Sequence, residues 1–175
     1  MSDPQACDIV LFRRKWRGWR AEVGHWWSYF LSWRIQKATN SKWNHAALMI
    51  NEEELIEATK TVRQRPLSYY TDQLDKYDWK FLRYPNLTDS QKLEMVCWAK
   101  FHLNDKYDWK AIIRLRIASM LSKIISANIL LKNTNDHYWI CSELIQSAFE
   151  YVDIKFQAGI MTPADFENVK ELEII

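Results

Sequence analysis

The sequence predicts an α+β fold, a small antiparallel sheet packed against helices, and three observations carry the prediction. Residues 44 to 50 and 54 to 59 are short apolar segments on either side of Asn51-Glu52-Glu53, the pattern of a β-hairpin. Thr88-Asp89-Ser90-Gln91 has the form of a capping box, in which the Thr hydroxyl and the Gln side chain satisfy N–H groups left open at a helix start. After Cys141 the apolar positions Leu144, Ile145, Ala148, Phe149 and Val152 step by one and three, which marks one buried helical face.

Taken in chain order, Asp8 to Phe12 (DIVLF) is rich in β formers and reads as the first strand. Residues 26 to 38 read as a helix that the polar Thr39-Asn40-Ser41 stops. The hairpin follows, and 79 to 84 (WKFLRY) alternates enough for a further strand. The capped helix runs from 89 to about 103, and its Cys97, among Leu93, Val96 and Phe101, is expected in the core. Residues 111 to 131 hold fourteen apolar residues of twenty-one. Arg114, Arg116 and Lys123 would each cost roughly 2.5 to 3.5 kcal/mol at a bilayer centre, so this stretch is an amphipathic helix rather than a membrane span. Arg116, Ser119, Ser122, Lys123 and Ser126 share its polar arc. KYDWK occurs at 76 to 80 and again at 106 to 110, but the flanks differ and a coincidence is the simpler reading.

The 175 residues suit one domain spanning 1 to 175, with no Pro/Gly/Ser-rich linker to divide it. Cys7, Cys97 and Cys141 form an odd, widely spaced set without a CxxC pair, against a disulfide framework and against a thiolate metal site. A reducing, cytoplasmic setting fits, and the N-terminus lacks the basic and apolar regions of a secretory signal. The net charge of +2 is mild but uneven. Between Arg13 and Lys37 stand seven cations and one acid, Glu22, together with five of the ten tryptophans. This basic Trp-rich segment, 13 to 38, is read either as packing against the sheet or as a face for an anionic membrane surface, which would make the protein peripheral there. Nucleic acid is the weaker partner: RRKWRGWR interleaves cations with aromatics, but no recognised nucleic-acid motif is present.

Cys141 stands where an extended aromatic stretch, HYWI, gives way to the last helix. A helix N-terminus favours an anion and lowers a thiol pKa from about 8.5 into the range of roughly 3.5 to 7.5. A buried, inert cysteine is the competing reading. A nucleophilic cysteine needs a base and a group to orient it. The histidines are His25, His45, His102 and His137, all upstream. His25 lies in the Trp-rich segment and His102 near a helix end, and His137 reaches Cys141 only if the chain turns back sharply. His45 lies on a predicted strand, rigid enough to hold an imidazole. Strand parity puts His45, Ala47 and Met49 on one face, and Leu55, Glu57 and Thr59 on one face. An odd hairpin loop sets His45 against Glu57 directly or diagonally; an even loop breaks the pairing and leaves Glu57 a solvated strand residue.

"DIVLF", "TNSKWNHAALMI", "ELIEAT" and "YWICSELIQSAF", in that order, resemble the circularly permuted papain-like hydrolases of the NlpC superfamily, the YiiX-like group related to lecithin:retinol acyltransferase. The resemblance runs from about Asp8 to Val152, and the closing "MTPADF" is also similar. It implies a permuted papain-like fold with histidine preceding cysteine. It further implies Cys141 as nucleophile, His45 as general base, Glu57 as the orienting third residue, a structural or near-site role for Asp8 and a structural role for Glu143. Where the family often carries glycine before the first-strand acid, this chain has Cys7. The function expected is a cysteine-dependent hydrolase (amidase or peptidase) or acyltransferase acting on an amide or ester, with a small peptide, amide or lipid-like substrate and no cofactor. A catalytically silent binding module, or a lipid-binding protein using the same groove, is the alternative. Substrate and oligomeric state are not written in the residues.

Overall fold

The computed structural model describes residues 3–15, 42–108, 138–156 and 161–175. The expected helices at 26–38 and 111–131, most of the basic Trp-rich segment, and His25 and His137 lie outside the described residues. Eight strands are described: β1 (Ile9–Arg14), β2 (His45–Met49), β3 (Glu54–Ala58), β4 (Val62–Pro66), β5 (Tyr77–Arg83), β6 (Lys106–Tyr107), β7 (Tyr138–Trp139) and β8 (Glu173–Ile174). The helices are α1 (Ser68–Thr71), α2 (Asp89–Phe101) and α3 (Cys141–Tyr151), with a 3-10 turn at Asp165–Asn168.

Six strands form one antiparallel sheet in the order β4-β3-β2-β1-β5-β8. Period-two alternation divides its side chains between two apolar layers. Ile9, Leu11, Ala46, Leu48, Ile56 and Ala58 pack with Met95 and Ala99 of α2 and Leu144, Ile145, Ala148 and Phe149 of α3. Val10, Phe12, Ala47, Met49, Leu55 and Phe81 face the other way, where Tyr70 of α1 covers them. Burial at roughly 25 cal/mol per Å² of apolar surface is what holds helices and sheet together.

The cap expected at Thr88 is present. Its hydroxyl accepts from Gln91 N–H at 3.2 Å, and the Gln91 side chain accepts from Thr88 N–H at 3.0 Å. Cys97, however, is exposed, with Leu93 at 65% and Phe101 at 81% exposure. The buried face of α2 runs through Met95 and Ala99 instead, so Leu93 and Phe101, four residues either side of Cys97, share its solvent-facing stripe, while Val96 packs partly against the core.

Cys7 has φ 70°, the left-handed region that a Cβ disfavours and glycine enters freely. That is the position where the resembling family carries glycine. The turn survives because Cys7 N–H donates to Met49 O at 2.8 Å and the side chain is buried. Next to it the Asp8 carboxylate accepts from Arg83 Nε (2.8 Å), Arg83 Nη2 (2.7 Å) and Gln5 N–H (2.7 Å), tying the start of β1 to the end of β5. At the other end of the chain Met161 N–H donates to Gln146 Oε1 at 3.0 Å, docking the MTPADF segment on α3. No helix among the described residues is long and apolar enough to cross a membrane.

Candidate functional site

β2 pairs with β3 through Leu48↔Ile56 and Met49↔Leu55, which leaves an odd loop of five residues from Ile50 to Glu54. In that register Glu57 lies opposite Ala47, and His45 is its diagonal neighbour on the same face. His45 Nε2 sits 2.6 Å from Glu57 Oε2. Glu57 is fully buried, so it is not the solvated strand residue of the competing reading.

The β2–β3 ladder stops at Leu48, while β2 stays paired with β1 as far as His45 and packs against α3. Ile140 caps that helix in an extended conformation (φ −92°, ψ 160°), which makes Cys141 its first residue. The Cys141 sulfur lies beside the His45 ring and the backbone N–H groups of Ala46 and Ser142, close enough for each to act on its ionisation. Because Nε2 is engaged by Glu57, Nδ1 is the ring nitrogen left for the sulfur. Three side chains from β2, β3 and α3 therefore form one connected chain, sulfur to imidazole to carboxylate.

Electrostatics favour charge separation along that chain. Burial works against a charged Cys141, but the hydrogen bond to His45, the charge on its ring and the two backbone donors outweigh it and lower the thiol pKa. Burial likewise opposes an imidazolium at His45, yet its hydrogen bonds to Cys141 and Glu57 and their charges raise it from 6.5 to about 10. Glu57 is held at about 2 despite burial, by its bonds to His45 and Tyr70 and by the Arg63 charge. Each of these shifts favours the charged form, a thiolate against an imidazolium resting on a carboxylate. Cys7 shows the opposite case: burial dominates and pushes its thiol up to about 12.

Several neighbours were not marked by the sequence reading. Arg63 and Arg65 of β4 lie on Glu57 Oε1, and Tyr70 OH donates to Glu57 Oε2. Tyr107 comes beside Cys141 because β6 pairs with β7, just ahead of the cysteine. Burial and the nearby negative sulfur drive its phenol pKa well upward. Ser142 Oγ and Asn44 Nδ2, next in sequence to Cys141 and His45, are buried without a hydrogen-bond partner. His102 lies elsewhere, with Nδ1 2.7 Å from Asp105 Oδ2 and its ring against Trp98 and Trp139, a packing and bridging role. Asp8 belongs to its own ion pair with Arg83. Glu143, in the first turn of α3, reaches back toward Ile140 N–H at 3.5 Å.

No family model matches the sequence. A search of curated proteins likewise returned no match. Among solved structures, the chain is similar to the crystal structure of the metalloprotein yiiX from Escherichia coli O157:H7, with a TM-score of 0.66 at 15% identity. The similarity covers 99% of this chain and 97% of that one, so the two share a fold over nearly their whole lengths.

Proposed function

We propose that the protein is a cysteine-dependent hydrolase or acyltransferase, one domain with the permuted papain-like form of this fold, acting on an amide or ester. The observation that carries the reading is the Cys141 sulfur at the start of a helix beside the His45 ring, with the same ring 2.6 Å from a buried carboxylate. The thiolate attacks the carbonyl carbon, and the carbonyl π electrons move to oxygen. N–H groups of the first turn of α3 are the nearest preorganised donors for that oxyanion. As the intermediate collapses, the C–N or C–O bond breaks and the imidazolium of His45 gives its proton to the leaving amine or alkoxide. His45, now neutral, takes a proton from water or from a second acceptor, which attacks the thioester and frees the acyl group. Glu57 keeps the ring oriented and stabilises its charged form through both halves.

The similar yiiX structure is titled a metalloprotein. Among the described residues no group of three or more His, Cys, Asp and Glu is arranged to hold a metal. The donors at the site do not fit one either: the imidazole joins sulfur to carboxylate, and the carboxylate is shared with Arg63, Arg65 and Tyr70. No step is therefore routed through a metal.

Hydrolysis of a panel of p-nitrophenyl esters and acyl p-nitroanilides by wild type, Cys141→Ala and His45→Ala tests the reading. Both variants are expected to lose turnover, His45→Ala by about 10² to 10⁴ as expected for a lost general acid–base. Full hydrolysis by either would remove the site, and a folded wild type inert across the panel with an unreactive Cys141 would favour the binding module.

A further inference from the structure

Glu57 has more partners than orienting one imidazole requires. Its Oε1 accepts from Arg63 Nε at 2.9 Å, and Arg63 Nη2 and Arg65 Nε lie 2.8 and 3.1 Å from the same oxygen as ion-pair contacts. Its Oε2 is shared by His45 Nε2 and Tyr70 OH. The sheet sets this up, because β3–β4 register puts Arg63 directly opposite Glu57 and Arg65 opposite Leu55, two residues along on the same face. Tyr70 arrives from α1 with its ring stacked on Phe12 at 4.0 Å, and Phe12 is itself stacked with His45 at 6.1 Å.

We propose that Arg63 and Tyr70, assisted by Arg65, are positioning residues that clamp Glu57 as a fixed, ionised carboxylate with one oxygen committed to arginine and the other aimed at the His45 ring. The inference rests on the reading of Cys141, His45 and Glu57 given above. Two physical arguments support it. A fully buried carboxylate with a single partner is driven toward its neutral form, and a neutral Glu57 would give little support to an imidazolium. A carboxylate held by a guanidinium through one N–H bond and a second close ion-pair contact also loses freedom to rotate, so the oxygen facing the ring stays in place. Side-chain exposures of 35% for Arg63 and 23% for Arg65 leave both guanidiniums partly hydrated, which limits the cost of placing two cations there. The clamp is thus wet on its outer side and dry where it meets Glu57.

The ionisable groups around Glu57 are His45 from β2, Arg63 and Arg65 from β4, Tyr70 from α1, Tyr77 from β5, which itself feels Arg14 of β1 and Tyr69 of α1, and, through His45, Cys141 from α3. Tyr107 of β6 is a further ionisable neighbour of Cys141. Removing Arg63 or Tyr70 takes away a group that keeps Glu57 charged, which weakens the anchor of the imidazolium and so the thiolate.

The test compares wild type, Arg63→Gln, Arg63→Lys and Tyr70→Phe in the pH dependence of Cys141 alkylation by iodoacetamide, read on the Cys141 peptide by mass spectrometry. Near-ultraviolet circular dichroism reports whether each variant is folded. A merely structural role lowers stability and leaves the acid limb of the profile where it was. The clamp moves that limb upward by about one pH unit in Arg63→Gln and Tyr70→Phe, so labelling below the limb is about tenfold slower. Arg63→Lys, which keeps a charge but not the fork, is expected between them and wild type. Folded variants that keep the wild-type limb overturn the clamp and leave the reading of Cys141 standing. A wild-type limb no lower than that of an ordinary thiol removes the underlying reading, and the clamp with it. If Arg63→Gln does not fold, Arg63→Lys and Tyr70→Phe decide the question.

Discussion

Replacing Glu57 by Gln keeps the shape of the side chain and removes its charge, in a position with no access to water. The carboxylate now meets His45 at 2.6 Å, Arg63 at 2.8 and 2.9 Å, Arg65 at 3.1 Å and the Tyr70 hydroxyl. Breaking a buried pair from one side costs about 3 to 5 kcal/mol, because the partner charge is left uncompensated. The two arginines regain water through their exposed portions, so their share is discounted, while the imidazole is largely buried. A loss of about 3 kcal/mol is expected, within the total of roughly 5 to 15 kcal/mol that keeps a domain folded.

Urea unfolding of wild type and Glu57→Gln across pH measures that difference. The folded-state pKa of Glu57 is depressed from 4.5 to about 2, so its contribution is present above 4.5 and lost as pH falls through 2. That of His45 is raised from 6.5 to about 10, so its contribution is fully present below 6.5 and lost as pH rises through 10. The gap between the two proteins is therefore widest between 4.5 and 6.5 and closes toward either extreme. A gap below about 1 kcal/mol in that window, the size of one ordinary neutral hydrogen bond, would refute the electrostatic account.

Three further outcomes follow from geometry away from the sulfur. Arg83→Ala strips two donors from the buried Asp8 carboxylate and is expected to cost about 3 kcal/mol in urea unfolding; Arg83→Lys recovers little, since one ammonium cannot replace a two-point fork. Thr88→Ala opens the capping box and is expected to cost about 1 kcal/mol, whereas Thr88→Ser retains most of it; equal losses in both would contradict the cap. Co-sedimentation with vesicles with and without anionic lipid tests the basic Trp-rich segment, each engaged cation contributing about 1 kcal/mol. Arg13 and Lys15 are already paired with Asp78, so pelleting would have to draw on the cations beyond them, and none at low salt would end the membrane reading.

Much of the architecture that positions the site was legible in the residues. DIVLF, the hairpin, the capped helix and the helix after Cys141 all carry periodicity that burial enforces, and the structure has each of them. The His45–Glu57 contact was legible from parity, because an odd loop puts the two on one face. Arg63, Arg65 and Tyr70 escaped notice for a physical reason. VRQRP is polar and ends in proline, so it lacks the apolar alternation that announces a strand, and it is held as an edge strand by register rather than by side-chain burial. Parity carried one strand further finds the two arginines, since a turn centred on Lys60 sets Glu57 against Arg63 and Leu55 against Arg65, whereas Tyr70 comes from a helix that strand parity does not place. Cys97 was misplaced because nearby Leu and Phe were read as burial, when only Met95 and Ala99 of α2 are deeply covered.

The central claim is that one sulfur of three is favoured as the thiolate because of where it sits. A brief pulse of iodoacetamide at about pH 6, where an ordinary thiol is almost wholly protonated, followed by peptide mass spectrometry, puts Cys141, Cys7 and Cys97 in direct competition. Access alone favours Cys97, the exposed one, and burial with a raised pKa silences Cys7. The account predicts that Cys141 is labelled first in wild type and loses that lead in His45→Ala. Labelling of Cys97 ahead of Cys141 in the wild-type protein would contradict it.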